Sequence, residues 1–278
     1  MSSTAPTPGI VAALQMCSSE ERAANLATAG RLLESAAAQG ACVAVLPENF
    51  SMMARRDADR RALAETDGTG PVQDFLARRA RELQLWIVAG SVPIANGPSD
   101  RIAQSCLVYD RQGERAARYD KIHLFDVDLP ERKESYRESA HMAPGHDIVA
   151  LDTPAGRLGL SICYDLRFPE LYRRLLDAGA QWLVVPAAFT ATTGEAHWEA
   201  LLRARAIENL CSVVASGQCG EHANGRRTHG HSMIIDYWGR ILAQQASGEG
   251  VICAPLDLAA QSEARRNFPA LSHRVLHN

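Results

Sequence analysis

Short apolar runs alternate with amphipathic segments along the first half of the sequence. Continuous apolar stretches rich in β-formers predict strands over residues 10–16, 42–46 and 85–92. Between them, apolar residues recur at helical spacing and predict helices over residues 20–38 and 72–83. This order is a βαβαβ unit, which is typical of an α/β fold.

The same order returns in the second half, after a predicted hairpin around residues 111–114. The predicted elements there are a strand over residues 158–162, a helix from about Phe168, a strand over 182–185, a helix over 196–209 and a strand over 211–216. The halves also share local sequence, since residues 38–50 (AQGACVAVLPENF) and 177–189 (DAGAQWLVVPAAF) each combine a helix end, a Gly-Ala turn, an apolar strand and a proline. We therefore expect two similar halves.

The apolar strands also predict the layers of the fold. Residues 182–185 (WLVV) are apolar at every position, which indicates burial on both faces of a sheet. Two sheets packed on each other with helices outside would bury the strands of both halves, so we expect an α/β fold of the four-layer αββα sandwich type. No Pro/Gly/Ser-rich linker or charge block divides the chain. We expect one domain over residues 8–258 and a C-terminal extension over residues 259–278.

Composition indicates which kinds of partner the protein has and in which cellular compartment it works. The formal net charge is −3 without a basic cluster, which argues against nucleic acid, and no apolar stretch approaches the roughly 20 residues of a membrane span. The seven cysteines form no Cys-x-x-Cys pair, and residues 1–9 lack the pattern of a signal peptide. These features predict a reduced, cytoplasmic setting, without disulfides or a thiolate zinc site, and a small-molecule ligand.

Cys163 is the leading candidate for a nucleophile. The apolar run over residues 158–162 stops there and an amphipathic run begins at Tyr164, so the sequence predicts a thiol at a strand-to-helix junction. The N–H groups and positive dipole end of a helix favour an anion, which would make the thiolate easier to reach. The structural alternative is a small apolar residue that ends a core strand, since free cysteine is often buried.

Two further side chains are predicted to lie near Cys163. The reactive groups of α/β sheets gather beyond the carboxyl ends of strands, and Glu48 follows the strand over residues 42–46. Lys121 has apolar neighbours at the end of another strand, where a cation is costly unless a carboxylate or a developing oxyanion uses it. A helix cap or a loop carboxylate is the alternative for Glu48.

Together the three residues resemble the Glu-Lys-Cys triad of the nitrilase, or carbon–nitrogen hydrolase, superfamily. The resemblance rests on residues 46–48 (LPE), 119–124 (YDKIHL) and 162–170 (ICYDLRFPE), and it spans nearly the whole chain. It implies a cysteine-dependent hydrolase that uses no metal or cofactor. The family's second glutamate would fall on Glu138, within residues 136–139 (YRES).

Further motifs look like the amidase branch of that superfamily. Within this branch, residues 218–220 (QCG) and 230–233 (GHSM) resemble deaminated glutathione amidases more than omega-amidases. The sequence differs from the pattern of this branch at Glu195, where the branch often has proline. This glutamate would add a negative charge near the expected pocket. The residues expected to bind substrate are Tyr164, Phe189, Thr190 and Arg226.

The expected reaction is hydrolysis of a linear amide C–N bond in a small substrate that bears a carboxylate. Glu48 would take the thiol proton, Cys163 would attack the carbonyl carbon, and Lys121 with the Tyr164 N–H would stabilise the oxyanion. Ammonia would leave, and a water activated by Glu48 would hydrolyse the thioester. Burial is expected to raise the pKa of Glu48, while Lys121 and the helix terminus are expected to lower the pKa of Cys163.

Other functions stay open at this point. An omega-amidase acting on 2-oxoglutaramate or 2-oxosuccinamate, or an N-carbamoyl amino acid hydrolase, would use the same three residues. His229 and His231 could hold zinc if a third ligand converged, and His123 or His197 could serve a Cys-His protease. A catalytically silent scaffold would keep only the fold.

Substrate recognition and assembly are predicted from weaker signals. Arg226 and Arg227 lie in a Gly-rich polar segment, where either could meet a substrate carboxylate. Superfamily members usually associate through helices that flank the nucleophile, here residues 168–176 and 197–209. We expect at least a homodimer, with the C-terminal extension at its interface.

Overall fold

The computed structural model describes residues 8–95, 101–129 and 134–276. The helices of this part are α1 (Arg22–Ala38), α2 (Asp57–Ala62), α3 (Pro71–Leu83), α4 (Pro169–Asp177), α5 (Ala191–Asn209) and α6 (Leu258–Asn267). Residues 1–7 lie outside the described residues, and they belong to the N-terminal segment in which we expect no signal peptide. Residues 277–278, at the end of the expected C-terminal extension, lie outside them as well.

The strands divide between the two halves of the chain. Those of the first half are β1 (Gly9–Gln15), β2 (Val43–Val45), β3 (Trp86–Val88), β4 (Val92–Ala95), β5 (Ile102–Tyr109), β6 (Arg115–Asp120), β7 (Asp126–Leu129) and β8 (Glu134–Arg137). Those of the second half are β9 (Ala150–Thr153), β10 (Gly156–Gly159), β11 (Trp182–Ala187), β12 (Ser212–Gly217), β13 (Cys219–Glu221), β14 (Arg227–His229), β15 (Ser232–Ile235), β16 (Ile241–Gln245) and β17 (Gly250–Leu256).

The first sheet confirms the predicted βαβαβ unit. Its strand order is β17-β1-β2-β3-β5-β4, with β6 paired to β5, and β1, β2 and β3 are parallel. Helices α1 and α3 lie on the crossovers between these parallel strands, as such connections require. The predicted hairpin joins β5 to β6, which are antiparallel.

The predicted strand over residues 85–92 is wrong in its length. It is split into β3 and β4 by a turn in which Gly90 has a φ of 52°. A Cβ at Gly90 would lie 2.0 Å from the carbonyl oxygen of Pro47, so only glycine lets this turn pass close behind the β2 end. The turn therefore packs against the backbone directly before Glu48.

The second sheet repeats the arrangement. Its order is β16-β15-β12-β11-β10-β9, and β10, β11 and β12 are parallel, with α4 and α5 on the crossovers. In both halves the first crossover helix ends in the same way: Gly40 and Gly179 have φ of 81° and 88°, and the next residue donates to the carbonyl five positions earlier. These are Schellman motifs, and they account for the shared Gly-Ala turn.

The layers follow the predicted αββα order. Val11 and Val45 of the first sheet pack in one apolar cluster with Leu158 and Val184 of the second. The same cluster takes in the inner sides of α4 and α5, while α1 and α3 cover the other face of the first sheet. Within the described ranges, every helix is too short or too polar to cross a bilayer.

Candidate active site

Cys163 opens a 3₁₀ turn that covers Cys163–Arg167. Its backbone has a φ of 48°, in a region that costs a non-glycine residue about 1–3 kcal/mol, and its side chain is almost completely buried. The predicted strand-to-helix junction is wrong in detail, because β10 ends at Gly159 rather than at residue 162 and the 3₁₀ turn stands between it and α4. Because a residue before proline is disfavoured in the helical region, Phe168 is extended and α4 begins only at Pro169.

Glu48 lies beyond the end of β2 and is 3 % exposed. Its Oε1 accepts a hydrogen bond from Lys121 Nζ at 2.9 Å, and its Oε2 accepts one from the Ala188 N–H at 2.9 Å. The same carboxylate lies close enough to the Cys163 thiol to raise the pKa of the thiol. The Glu48 backbone is held as well, because Gln218 Nε2 donates to its carbonyl at 3.0 Å. The carboxylate is thus fixed between the thiol and the ammonium group.

Lys121 follows β6 and is 2 % exposed. Besides Glu48, its ammonium group donates to both oxygens of Glu138, at 2.9 and 3.0 Å. Glu138 is held in turn by the Phe125 N–H, which donates to its Oε2 at 2.6 Å. A buried cation between two carboxylates is compensated for its loss of hydration, and its position is set from both sides.

The charges of the site differ from the sequence-based expectation. Burial alone would raise the pKa of Glu48, but the adjacent Lys121 ammonium brings that pKa below its usual value. Burial and the Glu48 carboxylate raise the pKa of Cys163, against the smaller effect of Lys121. Burial would lower the pKa of Lys121, but Glu138 and Glu48 raise it overall. Both expected shifts, upward for Glu48 and downward for Cys163, are therefore wrong, and the resting site holds a thiol, an ammonium and a carboxylate.

The Ala188 N–H is a functional group that the sequence analysis missed. It donates to Glu48 Oε2 and also interacts with the Cys163 sulfur. The internal repeat carried a usable signal, because Ala188 follows β11 at the position where Asn49 follows β2. The loops after these two strands meet at the site.

All of the residues predicted for the site line one cavity. They are Glu48, Lys121, Glu138, Cys163, Tyr164, Phe189, Thr190 and Arg226. The α5 helix begins at Ala191, five residues before its predicted start, because the Thr190 side chain accepts a hydrogen bond from the Thr193 N–H and caps it. Thr190 therefore lines the cavity and also caps the start of α5.

The cavity has other lining residues that the sequence analysis did not assign to it. They are Asn49, Arg60, Phe125, Tyr136, Arg137, Arg167, Ala188 and Thr193. The Arg167 guanidinium lies 5.2 Å from the Phe189 ring centre and 5.9 Å from that of Tyr164. Arg226 lies 5.2 Å from the Tyr136 ring centre and donates to the Ala188 carbonyl. Arg167 could have been found, since it stands four residues after Cys163 in the same motif.

The other polar residues that the sequence analysis considered do not line this cavity. Arg227 is exposed on β14, outside the lining of this cavity. The Nδ1 atom of His123 contacts Asp165, and that of His197 contacts Arg167; neither histidine lines the cavity that contains Cys163. The rings of His229 and His231 stack at 4.3 Å, and no group of three metal-ligating side chains occurs within the described part of the chain.

The sequence and the fold match known proteins along almost the whole chain. The model of the carbon-nitrogen hydrolase family matches residues 10–266. This chain belongs to the carbon–nitrogen hydrolase family. A deaminated glutathione amidase of Yersinia enterocolitica is 44 % identical over 264 residues, which are 95 % of this chain and 92 % of that protein.

Solved structures of the family show the same fold. The NitFhit protein of C. elegans superposes with a TM-score of 0.91 at 36 % identity, over 98 % of this chain and 66 % of that one. An amidase from Nesterenkonia sp. AN1, whose active-site cysteine carries a Michael adduct of acrylamide, superposes with a TM-score of 0.78 at 25 % identity, over 94 % and 99 % of the two chains. The predicted nitrilase-type α/β sandwich is confirmed.

Family membership decides between classes of function. The curated relatives with this match are amidases, so the chain is a carbon–nitrogen hydrolase, an enzyme that cleaves amide C–N bonds. A catalytically silent scaffold is therefore the wrong class. The roles of individual residues and the choice of amide are a separate question.

Proposed function

We propose that this enzyme hydrolyses an amide bond in a small, carboxylate-bearing substrate of the deaminated glutathione type, through a thioester on Cys163. One observation carries the assignment. A buried carboxylate, Glu48, accepts a hydrogen bond from the Lys121 ammonium and lies next to the Cys163 thiol, whose pKa it raises, in the wall of one cavity. A nucleophile, a base and a cation for the developing oxyanion are the parts that acyl transfer needs.

The first step is transfer of the thiol proton to Glu48 as the sulfur attacks the carbonyl carbon. With unperturbed pKa values of about 4.3 and 8.5, this transfer costs about 5.7 kcal/mol. The lowered pKa of Glu48 and the raised pKa of Cys163 increase that cost. A turnover of about 10 s⁻¹ corresponds to a barrier of about 16 kcal/mol, so an unfavourable proton transfer fits within the reaction when it is coupled to attack.

The oxyanion that forms in the attack is stabilised by the Lys121 ammonium and the Tyr164 N–H. Lys121 is suited to this role because Glu48 and Glu138 hold it on two sides, so little reorganisation is needed as negative charge develops. Glu138 orients Lys121 or the substrate nitrogen, since it lines the same cavity. Glu48, now protonated, is in reach to protonate the leaving nitrogen.

The leaving group depends on the amide that is cleaved. A primary amide releases ammonia, whereas a peptide-type amide, as in deaminated glutathione, releases an amine that carries the rest of the molecule. The acyl group stays on the sulfur as a thioester. Glu48 then takes a proton from water, the hydroxide adds to the thioester carbonyl, and the acid and the free thiol are regenerated.

Recognition of a carboxylate is assigned to Arg226, and Arg167 lines the same cavity. Guanidinium groups bind carboxylates in two-pronged geometry, and the contact of Arg226 with Tyr136 and with the Ala188 carbonyl orients it from two sides. Relatives that are 44 % and 42 % identical to this chain carry the name deaminated glutathione amidase.

The test compares kcat/KM for deaminated glutathione, 2-oxoglutaramate and an N-carbamoyl amino acid, with product acids and amines measured by mass spectrometry. We expect the first to be preferred. A clear preference for 2-oxoglutaramate would support an omega-amidase instead.

A matched pair of variants examines the arginine. Arg226→Gln should raise KM for the carboxylate substrate by about 10- to 100-fold, as loss of a hydrogen bond to a charged group does. Arg227→Gln, one residue away on the exposed face, should leave KM unchanged. Equal effects of the two substitutions would contradict the assignment.

We also propose that the protein works in the cytoplasm as a homodimer or higher homo-oligomer, with small amide substrates and water as its partners in the reaction. Supporting features are the free state of all cysteines in the described ranges and exposed apolar side chains such as Val275, Leu276 and Phe268 in the predicted C-terminal extension. Light scattering of the wild type against a chain truncated after residue 258 measures the assembly and the part that the extension takes in it.

A further inference from the structure

The Asp165 carboxylate is completely buried, two residues after Cys163, and it does not line the cavity. Four polar groups converge on it. Its Oδ2 accepts hydrogen bonds from the Ile162 N–H at 2.8 Å and the Tyr119 hydroxyl at 2.7 Å. Its Oδ1 contacts the N–H of His123 at 3.0 Å and the ring Nδ1 of the same residue at 2.7 Å.

These four contacts come from two separate segments. The Ile162 N–H belongs to the turn that contains Cys163, and the Asp165 N–H donates back to the Ile162 carbonyl at 3.1 Å, so the two residues close the turn around the nucleophile. Closure of this kind keeps Cys163 in its left-handed backbone conformation, which a cysteine would otherwise leave.

The other three contacts come from the residues on either side of Lys121. Tyr119 stands two positions before it and His123 two positions after it. Burial and the Asp165 carboxylate raise the pKa of Tyr119, so its hydroxyl stays a donor. The His123 ring is fixed further by stacking on Phe168, with ring centres 3.7 Å apart and planes inclined by 6°.

We propose that Asp165 is a positioning residue that ties the segment carrying Lys121 to the turn carrying Cys163, and thereby sets the separation of the ammonium group and the sulfur. The inference rests on the roles proposed above for Lys121 and Cys163. Without the tie, the turn and the segment that carries Lys121 lose their common anchor, and the oxyanion between sulfur and ammonium is held less well. A displacement of about 1 Å in such a site can lower the rate by about 100-fold.

The test uses two substitutions at the tie. Asp165→Asn keeps the shape of the side chain but turns one of its two acceptor atoms into a donor, so half of the contacts are lost. We expect kcat to fall by about 100-fold with KM unchanged, because Asp165 is outside the cavity. Tyr119→Phe removes a single contact and should lower kcat in the same way, by a smaller factor.

Tyr172→Phe is the matched control. Tyr172 is also completely buried, and its hydroxyl makes a side-chain hydrogen bond of 2.8 Å with Ser161, so Tyr172→Phe removes a buried hydroxyl without removing a contact of Asp165. Only Tyr119→Phe should lower kcat. If the two variants have the same kcat, whatever their melting temperatures, Asp165 serves stability alone and the proposal is wrong.

Cys163→Ala, measured beside these variants, separates two kinds of failure. If Cys163→Ala retains turnover, the proposed function itself is wrong. If Cys163→Ala is inactive while Tyr119→Phe and a folded Asp165→Asn keep the wild-type kcat, only the positioning role is wrong. If Asp165→Asn does not fold, the comparison of Tyr119→Phe with Tyr172→Phe gives the decision.

Discussion

The Ala188 N–H donates a hydrogen bond to Glu48 Oε2 across 2.9 Å and so joins the loops that follow β11 and β2. These loops come from the two similar halves of the chain, and each follows a buried parallel strand and a proline. The backbone donor and the Lys121 ammonium share the two oxygens of the carboxylate. The Glu48 carboxylate is thus fixed in place by both halves.

Glu48→Gln should remove the base while it keeps the size of the side chain. The amide cannot take the thiol proton or activate water, so we expect kcat to fall by about 10²- to 10⁴-fold, the usual contribution of general acid–base catalysis. Initial rates of amide hydrolysis measure the effect.

Glu65→Gln is the control for this loss. Glu65 is another buried carboxylate, which accepts hydrogen bonds from the Val72 and Gln73 N–H groups at the start of α3. It should cost stability but leave kcat as in the wild type. A Glu48→Gln enzyme as active as Glu65→Gln would show that the carboxylate is not the base.

Lys121→Met should impair both rate and stability. Loss of one oxyanion donor lowers the rate by about 10²- to 10³-fold, and removal of one partner from a buried ion pair costs about 3–5 kcal/mol. Without the ammonium, burial should raise the pKa of Glu48, so the destabilisation should be largest at neutral pH and smaller in acid. Urea unfolding at two pH values tests this; an equal loss at both would argue against an ionised Glu48 in the wild type.

Glu138→Gln should lower kcat less than Glu48→Gln does. The amide can still accept one hydrogen bond from Lys121, but the bidentate contact at 2.9 and 3.0 Å is lost, and the cation is less well oriented. Steady-state kinetics give the comparison. Unchanged turnover would remove Glu138 from the mechanism.

The pH profile of kcat/KM should have a broad plateau. The pKa of Glu48 is below its usual 4.5, so the base stays ionised until the pH falls under that value, and activity should decline only there. The pKa of Lys121 is above its usual 10.5, so the ammonium persists up to that pH. An acid limb near the ordinary histidine pKa of about 6.5 would instead implicate an imidazole.

Much of the fold could be predicted from local patterns. Continuous apolar strands such as residues 182–185 were enough to predict the four layers. The repeated helix ends at Gly40 and Gly179 helped to predict the two similar halves. The cavity residues could be predicted because strand ends in such sheets converge, and Glu48, Lys121 and Cys163 each follow a strand.

Other features depend on contacts that no local pattern encodes. The pKa directions of Glu48 and Cys163 follow from a balance of burial and a neighbouring charge, which requires the distances. The Ala188 donor is a backbone group, so its residue type gives no sign of it. The four contacts of Asp165 join segments more than 40 positions apart in the sequence, since His123 is 42 residues away.

The most direct measurement is the mass of the protein quenched during turnover of a good amide substrate. The account predicts a wild-type adduct with the mass of the acyl group, located by peptide mapping on Cys163 and absent in Cys163→Ala, which should also lack activity. Cys106→Ala, which removes a buried strand cysteine away from the cavity, should retain both adduct and activity. An acyl group found on another residue, or undiminished hydrolysis by Cys163→Ala, would contradict the central claim.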